Sequence, residues 1–112
     1  MLKRKPVVEE ISAEELKSKL DRREEILIID VREPDEYEIC HLENATLIPI
    51  RQLPNQFKEL NPNQAIVLYC HVGMRSAQAA LWLSQNGFTN VKNLRGGIDE
   101  WALKIDSEME RY

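Results

Sequence analysis

Ala65-Ile66-Val67-Leu68-Tyr69-Cys70-His71-Val72-Gly73-Met74-Arg75-Ser76 is the stretch on which the fold turns. Its first half is apolar and rich in β-branched residues, it stops at Cys70, a short turn with Gly73 follows, and a helical pattern runs from near Ser76 to Asn86. The spacing predicts a strand, a loop and a helix. A strand feeding a helix through a tight loop leaves unpaired backbone N–H groups and the positive end of the helix dipole facing the centre of the loop. Cys70 stands at the start of that loop.

Outward from it, the same grammar recurs. Ile26-Leu27-Ile28-Ile29-Asp30-Val31 is continuously apolar up to an acidic residue, the pattern of a parallel strand covered on both faces. Before it, Val7 to Ile11 predicts a short edge strand, and Ser12-Ala13-Glu14-Glu15 has the form of a capping box opening a helix to about Leu20. Pro34 suits the first turn of a short helix through Glu38. Ala45 to Ile50 predicts a strand ended by Pro49, and Leu53 to Leu60 a helix closed by Asn61-Pro62-Asn63. Beyond the loop, the helix turns Ala77, Ala80, Leu81 and Leu83 toward a core and ends at Asn86-Gly87; Val91 to Leu94 predicts a last strand, and Ile98 with Trp101 a terminal helical turn. Strands alternate with helices, so we expect an α/β fold with a mainly parallel central sheet flanked by helices on both faces. One domain over residues 1–112 is expected, with a peripheral polar tail at about 106–112.

Composition narrows the function. A chain of 112 residues, 43% hydrophobic and 30% charged, has enough apolar content for a core of its own without structural staples. Fifteen basic residues against nineteen acidic give a net charge of −4, which argues against nucleic acid or an anionic membrane as partner. The apolar run Ile26–Ile29 is too short to span a bilayer, and nothing of signal-peptide length follows Met1 to Pro6, so a cytoplasmic location is expected. Cys40 and Cys70 are expected as reduced thiols.

In an open parallel sheet, ligands bind beyond the carboxyl ends of the strands, where Asp30, Arg32 and Cys70 fall. The helix start, the loop N–H groups and Arg75 would favour the thiolate of Cys70, a nucleophile. Arg75 supplies a permanent charge and a planar fork of donors for an anion, and Gly73 lets the backbone curl into an anion nest. A cysteine that merely ends a strand has no need of a glycine turn, an arginine and a helix start within six residues. Asp30 and Arg32 are supporting candidates, as a steering pair or with Asp30 as a structural acceptor and Arg32 paired to Glu33 or Glu36. Arg51 and Arg95 are candidate rim cations. Cys40 reads as a packed thiol or as a resolving one. The dipeptides Cys40-His41 and Cys70-His71 lack the spacing of a zinc site, and no metal or other cofactor is expected.

Ile29-Asp30-Val31-Arg32-Glu33-Pro34-Asp35-Glu36-Tyr37, His41, the loop Cys70 to Ser76, and Asn93-Leu94-Arg95-Gly96-Gly97-Ile98 with Trp101 together resemble a single-domain rhodanese, a sulfurtransferase. The resemblance implies that Cys70 takes sulfane sulfur as a persulfide and passes it to a thiophilic acceptor. It implies that the backbone donors of His71, Val72, Gly73, Met74 and Arg75, with the Arg75 side chain, hold the terminal sulfur. The donor would be thiosulfate or another sulfane-sulfur compound, and the acceptor a thiol, cyanide or a sulfur-carrier protein. His71 stands where thiosulfate-using relatives often carry arginine, which leaves the donor open. The ending from Gly96 to Tyr112 is similar to the rhodanese domains attached to adenylating enzymes of molybdopterin and thiamine biosynthesis. Cysteine-based phosphatases or arsenate reductases of related fold are one alternative, although their cysteine and arginine are separated by five residues where Cys70 and Arg75 are separated by four. A non-catalytic rhodanese-like interaction module is the other.

Overall fold

The computed structural model describes residues 8–112. Its sheet has five strands, β1 (Glu10–Ile11), β2 (Leu27–Asp30), β3 (Thr46–Leu47), β4 (Ile66–Tyr69) and β5 (Val91–Leu94), in the order β1-β5-β4-β2-β3 with every pair parallel. The helices are α1 (Ala13–Asp21), α2 (Pro34–Ile39), α3 (Leu53–Gln56), α4 (Met74–Gln85) and α5 (Gly97–Lys104). The α/β expectation holds.

Strand periodicity explains why β2 and β4 read as unbroken apolar runs: successive side chains enter different cores. Ile66, Leu68 and Cys70 pack with Ile29 and Val31 beneath Leu53 of α3 and Ala79, Ala80 and Leu83 of α4. Val67 and Tyr69 pack with Ile28 on the opposite face, against Ala13 and Leu16 of α1 and Ile98 and Trp101 of α5. Cys70 is therefore delivered to the α4 face by the alternation that buries Ile66 and Leu68.

Boundaries differ from expectation where local geometry overrides pattern. The predicted strand at Ala45 to Ile50 pairs only through Thr46–Leu47, and the chain after Pro49 forms a 3₁₀ turn at Ile50–Gln52. The helix expected at Leu53 to Leu60 is four α residues followed by a 3₁₀ turn, Phe57–Glu59. Helix α4 starts at Met74, two residues early, because Gly73 with φ +106° makes the turn and its carbonyl accepts from Ala77 N–H at 3.2 Å. Its buried face is Ser76, Ala79, Ala80 and Leu83, while Ala77 and Leu81 are only half-buried. At α1 half of the capping box forms: Glu15 N–H donates to Ser12 Oγ, but the Glu15 carboxylate takes the Ser12 hydroxyl and not its backbone. The edge strand expected from Val7 is seen as Glu10–Ile11, with Val7 outside the described residues. No helix among the described residues is long and apolar enough to cross a membrane.

Candidate active site

Cys70 follows β4 directly, and the residue is 1% exposed. Its Sγ receives the backbone N–H groups of Gly73 at 3.2 Å and Ser76 at 3.4 Å, so the first turn of α4 directs its free donors at the sulfur. Ser76 Oγ lies 3.3 Å from the same sulfur. Behind Ser76 stands Asn93 of β5, whose amide nitrogen donates to the Gly73 carbonyl and to Glu10 Oε2, both at 3.1 Å. Two acceptors on the nitrogen fix the amide orientation, so its oxygen faces Ser76 Oγ at 2.5 Å and takes the hydroxyl proton. In the neutral state the thiol S–H thus finds an acceptor in Ser76 Oγ. In the thiolate state the two N–H groups remain as donors, and the hydroxyl can rotate toward sulfur.

Strand register assembles this cradle. Glu10 is paired with Asn93, and Asn93 with Leu68, so Asn93 shares the face of Leu68 and Cys70. The other side of the loop is held by α5: Ile98 N–H donates to the Cys70 carbonyl at 2.9 Å and Asp99 N–H to the His71 carbonyl at 3.0 Å. That approach requires Gly97, which has φ +62° and where a Cβ would fall within 2.6 Å of the Cys70 carbonyl oxygen. With its carbonyls occupied by α5, the loop presents N–H groups to the sulfur.

Residues 12–104 match the model of the rhodanese-like domain. The chain belongs to the rhodanese-like family. A Sulfurtransferase of Allochromatium vinosum is 38% identical over 96 residues, covering 86% of this chain and 90% of that protein. The rhodanese-like/PpiC domain-containing protein 12 of Arabidopsis thaliana chloroplasts is 39% identical over 119 residues, and the chain spans 40% of its length. A protein of Mycobacterium tuberculosis named "Probable adenylyltransferase/sulfurtransferase MoeZ" is 37% identical over 105 residues, covering 91% of this chain and 26% of that protein. Among solved structures, SSP1007 from Staphylococcus saprophyticus superposes with a TM-score of 0.80 at 34% identity, covering 93% of this chain and all of that one.

Around the cradle of this rhodanese-like domain, the predicted residues take unequal parts. Arg75 does not point a free fork at the pocket: its two terminal nitrogens bind both oxygens of Glu36 at 2.7 and 2.9 Å. Hydrogen bonds from Arg75 hold the Glu36 carboxyl at about 2, and the same bonds, with the Glu36 charge adding to them, raise Arg75 above its ordinary value. Val72 and Met74 are exposed, leaving only their backbone to serve the loop. His71 is half-buried and its ring stacks on Tyr112 at 4.1 Å and 14°.

Asp30 and Arg32 are both fully buried, so neither meets solvent or steers a substrate. Arg32 pairs with Asp30, and not with the carboxylates of Glu33 or Glu36; its nitrogens lie 2.7 to 3.2 Å from the Asp30 oxygens and reach on to the carbonyls of Glu36 and Cys40. Tyr69, opposite Asp30 in the register, donates its hydroxyl to Asp30 at 2.8 Å and accepts from Leu42 N–H. Burial, reinforced by the Asp30 charge, pushes the Tyr69 phenol up and keeps it a donor. The pair thus braces β2, β4 and α2 under the site.

Arg51 pairs with Glu33 at 3.0 Å and Arg95 is exposed. Cys40 and Cys70 are both free, and burial pushes the Cys40 thiol up. Sequence reasoning did not single out Ser76, Asn93 or Glu36 as site residues. A polar residue at the core-facing position of α4 and another two along from Val91 on the Cys70 face were the signals for the first two; none marked Glu36 as the partner of Arg75. The tail expected to be peripheral reaches the site through Tyr112, because that ring finds both an aromatic face and hydrogen-bonding partners there.

Proposed function

We propose that the protein is a sulfurtransferase in which Cys70 carries the sulfur as a persulfide. The observation that carries this reading is the pair of inward backbone donors on Cys70 Sγ from Gly73 and Ser76, with the Ser76 hydroxyl beside the sulfur and able to rotate toward it. Such donors stabilise negative charge on Cys70 Sγ when it attacks as a thiolate and again when it departs as one. Family membership and the Allochromatium relative support sulfur transfer as the reaction class.

The Cys70 thiolate attacks the sulfane sulfur of thiosulfate; the new S–S bond forms as the old one breaks, and sulfite leaves with its electron pair. A thiophilic acceptor then attacks the outer sulfur and the Cys70 thiolate departs. A residue exposed by only 1% favours a slim donor over a bulky phosphoester. The four-residue separation of Cys70 and Arg75 favours sulfur over phosphate in the same sense.

Intact-mass measurement after incubation with thiosulfate should show one added sulfur, removable by a thiol and absent in Cys70→Ser. Absence of the gain with several sulfane donors, or its persistence in Cys70→Ser, would sink the assignment. Arg75→Ala should keep its fold and transfer sulfur at least about tenfold more slowly, the scale of one lost charge-assisted contact; unchanged kinetics would contradict a role for that charge.

A further inference from the structure

Tyr112 touches three residues linked to the site: His71 next to Cys70 in the loop, Glu36 that holds Arg75, and Arg32 beneath them. The Tyr112 ring covers His71, the hydroxyl donates to Glu36 Oε2 at 2.7 Å, and the hydroxyl oxygen itself accepts from Arg32 at 2.9 Å. Glu36 Oε2 is also bound by Arg75, while Oε1 takes the other Arg75 nitrogen and the Glu33 N–H at 3.2 Å. The carboxylate is therefore held at one oxygen by backbone and at the other by Tyr112, and the Arg75 guanidinium aligns to both oxygens. The segment leading to Tyr112 is itself anchored: Met109 packs against the α5 core and Arg111 pairs at 3.0 Å with Asp99, whose own N–H holds the His71 carbonyl. Arg32, which fixes the Tyr112 hydroxyl from below, is immobilised by Asp30.

We propose that Tyr112 is a positioning residue for the sulfur-transfer site: through Glu36 it sets where the Arg75 charge stands relative to Cys70, and through its ring it fixes His71 beside the nucleophile. The consequence is a preference for anionic donors that depends on a side chain in contact with neither the sulfur nor the donor. The proposal rests on Cys70 being the sulfur acceptor.

The test compares alkylation of Cys70 by iodoacetate, an anion, and by neutral iodoacetamide, read by peptide mass mapping so that Cys40 is scored separately. The ratio of the two rates cancels access and thiol reactivity and reports the local positive charge. Tyr112→Phe keeps the ring and removes two hydrogen bonds; because Tyr112 is 40% exposed, the core is untouched. The ratio should fall about fivefold, a fraction of what a hydrogen bond to a charged group supplies. KM for thiosulfate should rise by a similar factor with kcat nearly unchanged. In a Glu36→Gln background the added Tyr112→Phe change should have no further effect, because the route through the carboxylate is already broken. An unchanged ratio in Tyr112→Phe, an equal change with both reagents, or the full effect persisting in Glu36→Gln overturns the proposal. Sulfur uptake by Cys70→Ser would overturn the role of Cys70 instead, and the alkylation ratio would still decide that of Tyr112.

Discussion

The Ser76 hydroxyl has one proton and two neighbours, the Cys70 sulfur and the Asn93 amide oxygen. Ser76→Ala keeps the backbone N–H on the sulfur but strips the hydroxyl, and leaves a buried amide oxygen without a donor. We expect it to cost about 1–3 kcal/mol of stability and to slow sulfur loading by about tenfold, checked by denaturant titration and by the rate of mass gain. A variant equal to wild type in both would show that the hydroxyl is a bystander. Cys70 was legible in the sequence because strand, turn and helix start are all local patterns. Asn93 was legible only as part of a resemblance, since its role follows from the pairing of Glu10, Asn93 and Leu68, three segments whose register no local pattern carries. Glu36 was mis-partnered for the same reason: Arg32 lies nearer along the chain, but it is turned beneath the sheet edge to Asp30.

Helix α5 acts on the site through its backbone. Its N-terminal N–H groups are spent on the Cys70 and His71 carbonyls, so the geometry of the loop depends on how closely a helix can approach it. Gly97→Ala introduces a Cβ overlapping those carbonyls and holds an L side chain at φ +62°. We expect a loss of at least about 2 kcal/mol from the left-handed backbone and displacement together, seen as a lower melting temperature, and a sulfur-loading defect beyond that of an equally destabilising substitution elsewhere. Unchanged melting would mean that the helix can back away at no cost. The close backbone approach was readable from Gly96-Gly97, and Trp101, 8% exposed, anchors the helix as its aromatic character suggested. The lengths of β3 and α3 were not readable, because Pro49 and the packing of Leu53 under α4 decide them.

At the scale of the molecule, Glu36 joins α2, α4 and the end of the described chain through Arg75 and Tyr112. Its carboxyl, held at about 2 against an ordinary 4.5, favours the folded state when ionised. That contribution is complete above about pH 4.5 and disappears as pH falls toward 2. With the Arg75 side chain 39% exposed, its size is about 1 kcal/mol or less. Wild type should therefore lose its stability advantage over Glu36→Gln across that window; a constant difference in denaturation midpoint from pH 6 to pH 2.5 would exclude the linkage. The sheet and its two covered faces were evident from the alternation of apolar runs with helical patterns, whereas the docking of the tail was not, because its polar composition concealed a single aromatic anchor. The strand order has a further consequence, for the birth of the protein. Strand β1, early in the chain, pairs with β5, late in it, and Asn93 of β5 closes the cradle of Cys70 at the end of the neighbouring β4. A chain emerging from the ribosome has its cysteine in place long before residue 93 appears, and its first strand must wait unpaired for the fifth. Cys70 thus acquires the supporting amide of Asn93 only at the final closure of the sheet.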